Sequence, residues 1–146
     1  MKLRVVAIGR IREPFFREAA DHYIERIRHY APADVVEIDP RKGKGAGAAA
    51  RAAIPPRAIV VALDSTGEAL ASRAFADRVA SWQRSGRPAV AFLVGGPDGL
   101  PGDLARTADF RLSLGPLTLP HRLARVVLLE QIYRAMTILR GDPYDR

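Results

Sequence analysis

The run AVAFLVGGPDGL, residues 89–100, decides the fold of this 146-residue chain. Its first six residues, Ala89 to Val94, are apolar without alternation, which predicts a short strand buried on both faces. Such strands belong to parallel sheets covered by helices. Gly95 and Gly96 then leave room for another group to approach the backbone at the strand's carboxyl end. Pro97-Asp98-Gly99 also suits an ordinary tight turn. A position just beyond a sheet strand's carboxyl end favours a ligand site.

The segments on either side repeat the pattern. Leu3 to Ile8, Val35 to Ile38, Ala58 to Leu63 and Phe110 to Leu114 read as further strands. Asp64-Ser65-Thr66-Gly67 reads as a turn. A helix opens at Glu13-Pro14, with Phe16, Ala19, Ala20, Tyr23, Ile27 and Tyr30 on one face, and ends before Pro32. Ser72 to Ser85 is helical, with Phe75, Val79 and Trp82 on one side. A short helix spans Gly102 to Thr107, and a long one Leu123 to Leu139. Strands alternating with helices predict one α/β domain over residues 1–146, a mostly parallel sheet with helices on both faces. In such a sheet three loops stand where ligands bind: after Leu63, after Val94 and after Leu114.

Two segments are unusual for their composition. Leu114-Gly115-Pro116-Leu117-Thr118-Leu119-Pro120-His121 holds apolar residues in a stretch that Gly and Pro keep irregular. It reads either as a loop wrapping an apolar ligand or as one tucked under the last helix. That helix is apolar almost all round (Val126, Val127, Leu128, Leu129, Ile132, Tyr133, Met136, Ile138), which implies a second buried face; a homodimer interface is the economical explanation. Glu130 and Arg134 are spaced for an i,i+4 pair. The tail from Gly141 reads as a frayed end.

Composition narrows the chemistry. There is no cysteine, which excludes disulfides, thiolate metal sites and cysteine nucleophiles. The three histidines are scattered, so no metal site is expected. No apolar run approaches a membrane span, and Met1 to Gly9 lacks a signal-peptide pattern, so a soluble, intracellular protein is expected. The formal net charge is +7. Between Pro40 and Leu63 lie Arg41, Lys42, Lys44, Arg51 and Arg57 with no acid, which favours a polyanion partner. Gly43 to Ala48 matches the dinucleotide fingerprint formally. It lacks a strand directly before it, and Pro55-Pro56 shortens any helix after it, so a basic loop is the better reading.

LVGGPDGL (93–100), LSLGPLTLPHRLARVVLLEQIYRA (112–135) and the terminal Pro-Tyr-X-Arg together resemble the ribosomal RNA large subunit methyltransferase H family of small SPOUT-class enzymes. MKLRVVAIG, RKGKG and the strand ending Leu63-Asp64 extend the resemblance along essentially the whole chain. It implies an α/β fold with a C-terminal trefoil knot, a cytoplasmic homodimer, and S-adenosylmethionine as cofactor. It also implies methylation of N3 of a pseudouridine in a 23S ribosomal RNA hairpin on the assembled ribosome. Carried over by position, it puts the cofactor at Leu63, Gly95, Leu114, Gly115, Pro116, Leu117, Thr118 and Leu119, the same three loops that the sheet argument selects. RNA contacts fall on Arg41, Lys42 and Lys44. The family has histidine where this chain has Asp145, and often at Asp142 as well. The stretch from Ala46 to Pro56 is shorter than usual, so a helix there is expected to be truncated.

Methyl transfer from a sulfonium is an in-line displacement that depends on alignment. The acceptor is a ring N–H, so a base or stabilising cations should lie nearby. The candidates are Asp145 as base, Arg134 and Arg146 as electrostatic contacts, and Tyr144 as a positioning or stacking group. His121 reads as a cap or packing residue at least as well as a catalytic one. Two rivals differ in kind: a non-catalytic RNA-binding ribosome factor with a degenerate cofactor site, and a dinucleotide-dependent oxidoreductase using the 43–48 glycines.

Overall fold

The computed structural model describes residues 1–42 and 44–145, the side chains of Lys42 and Lys44 excepted. Five strands, β1 (Lys2–Ile8), β2 (Ala33–Ile38), β3 (Ile59–Ala69), β4 (Ala89–Val94) and β5 (Phe110–Ser113), form one sheet in the order β2-β1-β4-β3-β5. Every adjacent pair is parallel. β4 is buried at all six positions, as its unbroken apolar run requires.

Five α-helices cover the two faces. α1 (Pro14–Arg28), α3 (Ser72–Arg84) and α5 (His121–Arg140) pack on one side through Ile24, Ile27, Phe75, Val79, Leu128 and Ile132. α2 (Lys44–Ala52) and α4 (Gly102–Arg106) cover the other side at Ala46, Ala50 and Leu104. α1 begins with Pro14 at its first position, which loses no hydrogen bond there. α2 runs nine residues and stops ahead of Pro55-Pro56. Gly45 and Gly47 lie inside it rather than in a phosphate-binding turn.

Three expectations change. The predicted turn at 64–67 lies inside β3. Leu63 and Glu68 both stand opposite Leu112, and the four residues between them bulge out of the ladder. Asp64 Oδ1 holds that bulge by accepting from Thr66 N (3.0 Å) and Oγ1 (2.9 Å). α5 starts at His121, directly after Pro120, and α1 and α3 flank it within one chain. Much of its all-round apolar character is therefore answered without a second copy. The tail is folded rather than frayed. Gly141 adopts φ 80°, and Asp142 N donates to Thr137 O at 2.9 Å, which turns the chain back over the helix. Tyr144 then packs on Tyr133 at a ring separation of 4.5 Å, and the Tyr30 hydroxyl donates to Asp142.

Among the described residues no helix is long and apolar enough to cross a membrane, and no cluster of His, Asp or Glu could hold a metal ion.

Candidate active site

The carboxyl ends of β4, β3 and β5 surround a cavity of about 310 Å³. That is near the lower end of the roughly 300–1,000 Å³ of small-molecule sites. Leu63 and Gly95 line it from β3 and β4, and Leu114, Gly115, Pro116, Leu117, Thr118 and Leu119 close it. The structure thus brings all eight residues nominated from the sequence around one space. Asp64, Gly96, Gly99, Leu100 and His121 also line it. The sequence signalled Gly96, Gly99 and Leu100 through the same motif as Gly95. Asp64 enters only because the β3 bulge turns it there.

Local chemistry explains the cavity's shape. A Cβ on Gly95 would lie 2.4 Å from Gly99 C and 2.6 Å from Leu100 N, so the returning turn needs glycine. The turn closes through Gly99 N donating to Gly96 O at 3.0 Å. The close approach at Gly95 is therefore made by the chain's own backbone, as the turn reading expects, and the turn forms part of the cavity wall. Gly115 takes φ 127°, open to glycine alone among common residues. The buried Ser113 hydroxyl accepts from Gly115 N and donates to Gly115 O, both at 3.1 Å. Leu117 is 81% exposed at the rim.

The lining is dominated by leucines, with backbone amides and carbonyls between them. This suits a flat heterocycle whose ring edge bonds to backbone. Asp64 is the single carboxylate among the lining residues. The hydrogen bond from Thr66 N leads in holding it below the usual carboxylate range, and Arg111 Nη1 stands 3.7 Å from its Oδ2, so its charge is already shared with one cation. Burial, then Arg122 and Arg125, lower the His121 pKa, so its imidazole stays neutral near pH 7.

The tail candidates form a second cluster on α5. Arg134 donates from Nε (3.2 Å) and Nη2 (2.8 Å) to Glu130 Oε2, and from Nη1 to Asp145 Oδ1 (3.0 Å). Tyr144 donates to Glu130 Oε2 at 2.8 Å, with the Arg134 guanidinium 4.8 Å from its ring centre. Asp145 Oδ2 also meets Arg73 at 3.1 Å. Burial and the bond to Glu130 push the Tyr144 phenol far above its ordinary range, which makes it a donor rather than a base. Arg134, Tyr144 and Asp145 are thus assembled together, though none lines the cavity. Arg134 lies ten residues beyond Ala124, about 15 Å along the helix. Arg146 lies outside the described residues, as do the side chains of Lys42 and Lys44.

The three cations of the acid-free stretch with described side chains do not form one patch. Arg41 pairs with Asp39 beyond β2, Arg51 pairs with Asp103 on α4, and Arg57 precedes the opposite, amino end of β3.

Comparison with known proteins extends these observations. Residues 1–145 match a family model described as a predicted SPOUT methyltransferase. A protein of Sorangium cellulosum, "Ribosomal RNA large subunit methyltransferase H", is 51% identical over 145 residues, covering 99% of both chains. Proteins of the same name from Anaeromyxobacter dehalogenans and Dinoroseobacter shibae are 47% and 43% identical; each alignment spans this whole chain and 100% and 99% of the relative. Among solved structures, a probable methylase family protein from Haemophilus influenzae aligns with TM-score 0.63 at 13% identity, over 99% of this chain and 70% of that one. A probable methyltransferase from Bordetella pertussis aligns with TM-score 0.61 at 14% identity, over 92% and 95%. At these identities the two structures speak for the fold.

Proposed function

The chain belongs to the SPOUT methyltransferase family, and from that premise we propose that it methylates N3 of a pseudouridine in 23S ribosomal RNA on the assembled ribosome. It is an rRNA methyltransferase with S-adenosylmethionine as its cofactor. The observation that supports the cofactor site is the convergence of three distant loops, at Leu63, Gly95 and 114–119, on one cavity, and the substrate reading is supported by full-length similarity to proteins named Ribosomal RNA large subunit methyltransferase H. Bound there, the cofactor supplies an electrophilic methyl group.

The chain's own residues do the rest. Leu63, Gly95 and residues 114–119 would hold the cofactor, with backbone amides and carbonyls available to its ring edge, and Asp64, already neighboured by Arg111 at 3.7 Å, would supply the negative charge nearest its sulfonium or ammonium group. Removing water from this lining strengthens each polar contact. Arg134 and Arg146 stabilise the target ring as its imide proton leaves, and Asp145 accepts that proton after releasing Arg73. Tyr144 stays a phenol and positions the ring by stacking. Arg41, Lys42 and Lys44 contact the RNA.

The tail cluster sits about 15 Å along α5 from the cavity of its own chain. The reading therefore includes a homodimer in which one protomer's tail completes its partner's site, with the C-terminal segment threaded as in the family's knot. A cytoplasmic location follows from a ribosomal substrate. The test is methylation of 70S ribosomes from a strain lacking the enzyme, followed by mass spectrometry of the 23S hairpin. N3-methylpseudouridine is the expected product. A methyl group on another atom rejects the N3 assignment, and no methyl group at all leaves the RNA-binding factor as the better reading.

A further inference from the structure

The cofactor cavity uses the carboxyl ends of β4, β3 and β5. On the same edge of the sheet, the carboxyl ends of β1 and β2 open into a larger cleft of about 590 Å³, of which the reading above uses only Arg41. Five arginines line it: Arg10, Arg12, Arg17, Arg41 and Arg122. A second depression of about 600 Å³ shares Arg10, Arg12 and Arg17, and carries the basic surface along the start of α1 as far as Pro14.

The carboxylates nearby are already engaged. Asp39 pairs with Arg41 at 3.0 Å and Glu13 with Arg122 at 3.3 Å. Glu37 is shared between Arg17 and the buried Arg125, which also holds Gly9 O at 3.0 Å. Arg10 and Arg12 have no ion pair or hydrogen bond among the described residues. Two uncompensated guanidiniums in one concave surface form a seat for closely spaced negative charge, and their forked geometry matches phosphate oxygens.

An aromatic ring distinguishes nucleic acid from a free anion. Phe15 is 65% exposed, one residue beyond Pro14, with its ring 4.5 Å from that of Phe16. Phe15 lines neither depression, but an exposed ring one residue past the edge of the basic surface at Pro14 can stack an unpaired base while the arginines hold its backbone. The cleft also adjoins the cofactor cavity. His121 lines both, and Pro97, within the turn that closes the cavity, lines the cleft.

We propose that this cleft is a seat for RNA backbone phosphates, held by Arg10 and Arg12 with Phe15 stacking a flanking base, from which the strand passes His121 toward the cofactor cavity. The proposal rests on the methyltransferase reading for its substrate.

The test compares wild-type protein with an Arg10→Ala/Arg12→Ala double variant and with Phe15→Ala. Methylation is followed against ribosome concentration and salt. The double variant should raise KM about tenfold or more with kcat little changed. Its plot of log kcat/KM against log salt should be shallower by about 1.5, the loss of two phosphate contacts. Phe15→Ala should raise KM without changing that slope, and Phe15→Trp should restore it. S-adenosylmethionine affinity by calorimetry should stay at the wild-type value throughout. Wild-type KM and salt slope in the double variant, while the parent methylates normally, overturn the seat. A changed oligomeric state in sedimentation overturns it too, because the cleft would then join two copies. If the parent fails to methylate ribosomes, the functional reading falls separately. Fluorescence anisotropy with a labelled RNA hairpin then decides the seat: weaker, less salt-dependent binding by the double variant supports it, and unchanged binding refutes it.

Discussion

Replacing Gly95 with alanine puts a methyl group 2.4 Å from Gly99 C, 2.6 Å from Leu100 N and 2.8 Å from Gly99 Cα. All three obstacles are backbone, so no side chain can swing away. Ordinary van der Waals contact starts at 3.4 Å, and in a close-packed interior the turn from Gly96 to Gly99 must therefore retreat by about 1 Å. Gly96, Gly99 and Leu100 line the cavity proposed for the cofactor, so the wall moves with them. A misplacement of about 1 Å costs on the order of 100-fold in rate, or about 2.7 kcal/mol of transition-state stabilisation. Gly95→Ala should thus lower kcat/KM for ribosome methylation about 100-fold and weaken S-adenosylmethionine binding in calorimetry. Gly102→Ala is the control, because its Cβ meets only the end of the Arg106 side chain, at 3.2 Å. It should behave as wild type. A folded Gly95→Ala protein that binds the cofactor and methylates within about twofold of wild type would refute the close-approach argument.

Arg125→Ala should destabilise the fold by about 3 kcal/mol at pH 7, since it strips Glu37 and Gly9 O of a buried partner. Glu37 is disfavoured as an anion by burial, but its bond to Arg125 helps hold it below the usual carboxylate range. Without Arg125 its charged form is a liability, so the stability gap in urea melts at fixed protein concentration should narrow as pH falls; a constant gap contradicts this. Arg134→Ala releases Glu130 and Asp145. It should abolish most methylation while leaving cofactor affinity intact, and equal losses of both would place Arg134 in the wrong role. Asp34 is held below its ordinary pKa chiefly by its hydrogen bond from Arg4. A depressed folded pKa stabilises above the unfolded value, near 3.9, and that stability is lost as pH falls through the folded value. Asp34→Asn should therefore be less stable than wild type at pH 6, with the difference shrinking as pH falls below the unfolded value; unfolding curves across that range decide it.

The pattern of apolar runs was enough to order the elements. β1, β2, β4 and β5 match their expected positions closely; β1 and β4 are apolar runs buried almost throughout, while the edge strands β2 and β5 keep partly exposed positions. The helices followed for the same kind of reason: Pro14 starts α1 and Gly141 ends α5. The cavity was legible too, since its two diagnostic segments sit beyond strand ends, where a sheet always gathers loops. Its charged wall was not. Asp64 looks like a turn residue in the chain, and it reaches the cavity only because β5 pairs with β3 on both sides of a bulge.

The tail shows the limit most clearly. Six residues containing Gly, Pro and charges read as a fraying end, because nothing local holds them. What holds Tyr144 and Asp145 is Glu130 and Arg134, more than ten residues back on α5, together with Arg73 from α3. The basic cleft is a second case. Arg10 and Arg12 stand far in sequence from Arg41 and Arg122, and only parallel pairing of β1 with β2 sets their loops side by side. Hydrophobic period and turn chemistry are local, so the order of strands and helices, the fold class and the apolar loops could be read from residues a few positions apart. Which charges meet, which are left unpaired and which tail residue touches which helix depend on contacts between distant segments, and those exist only once the sheet has closed.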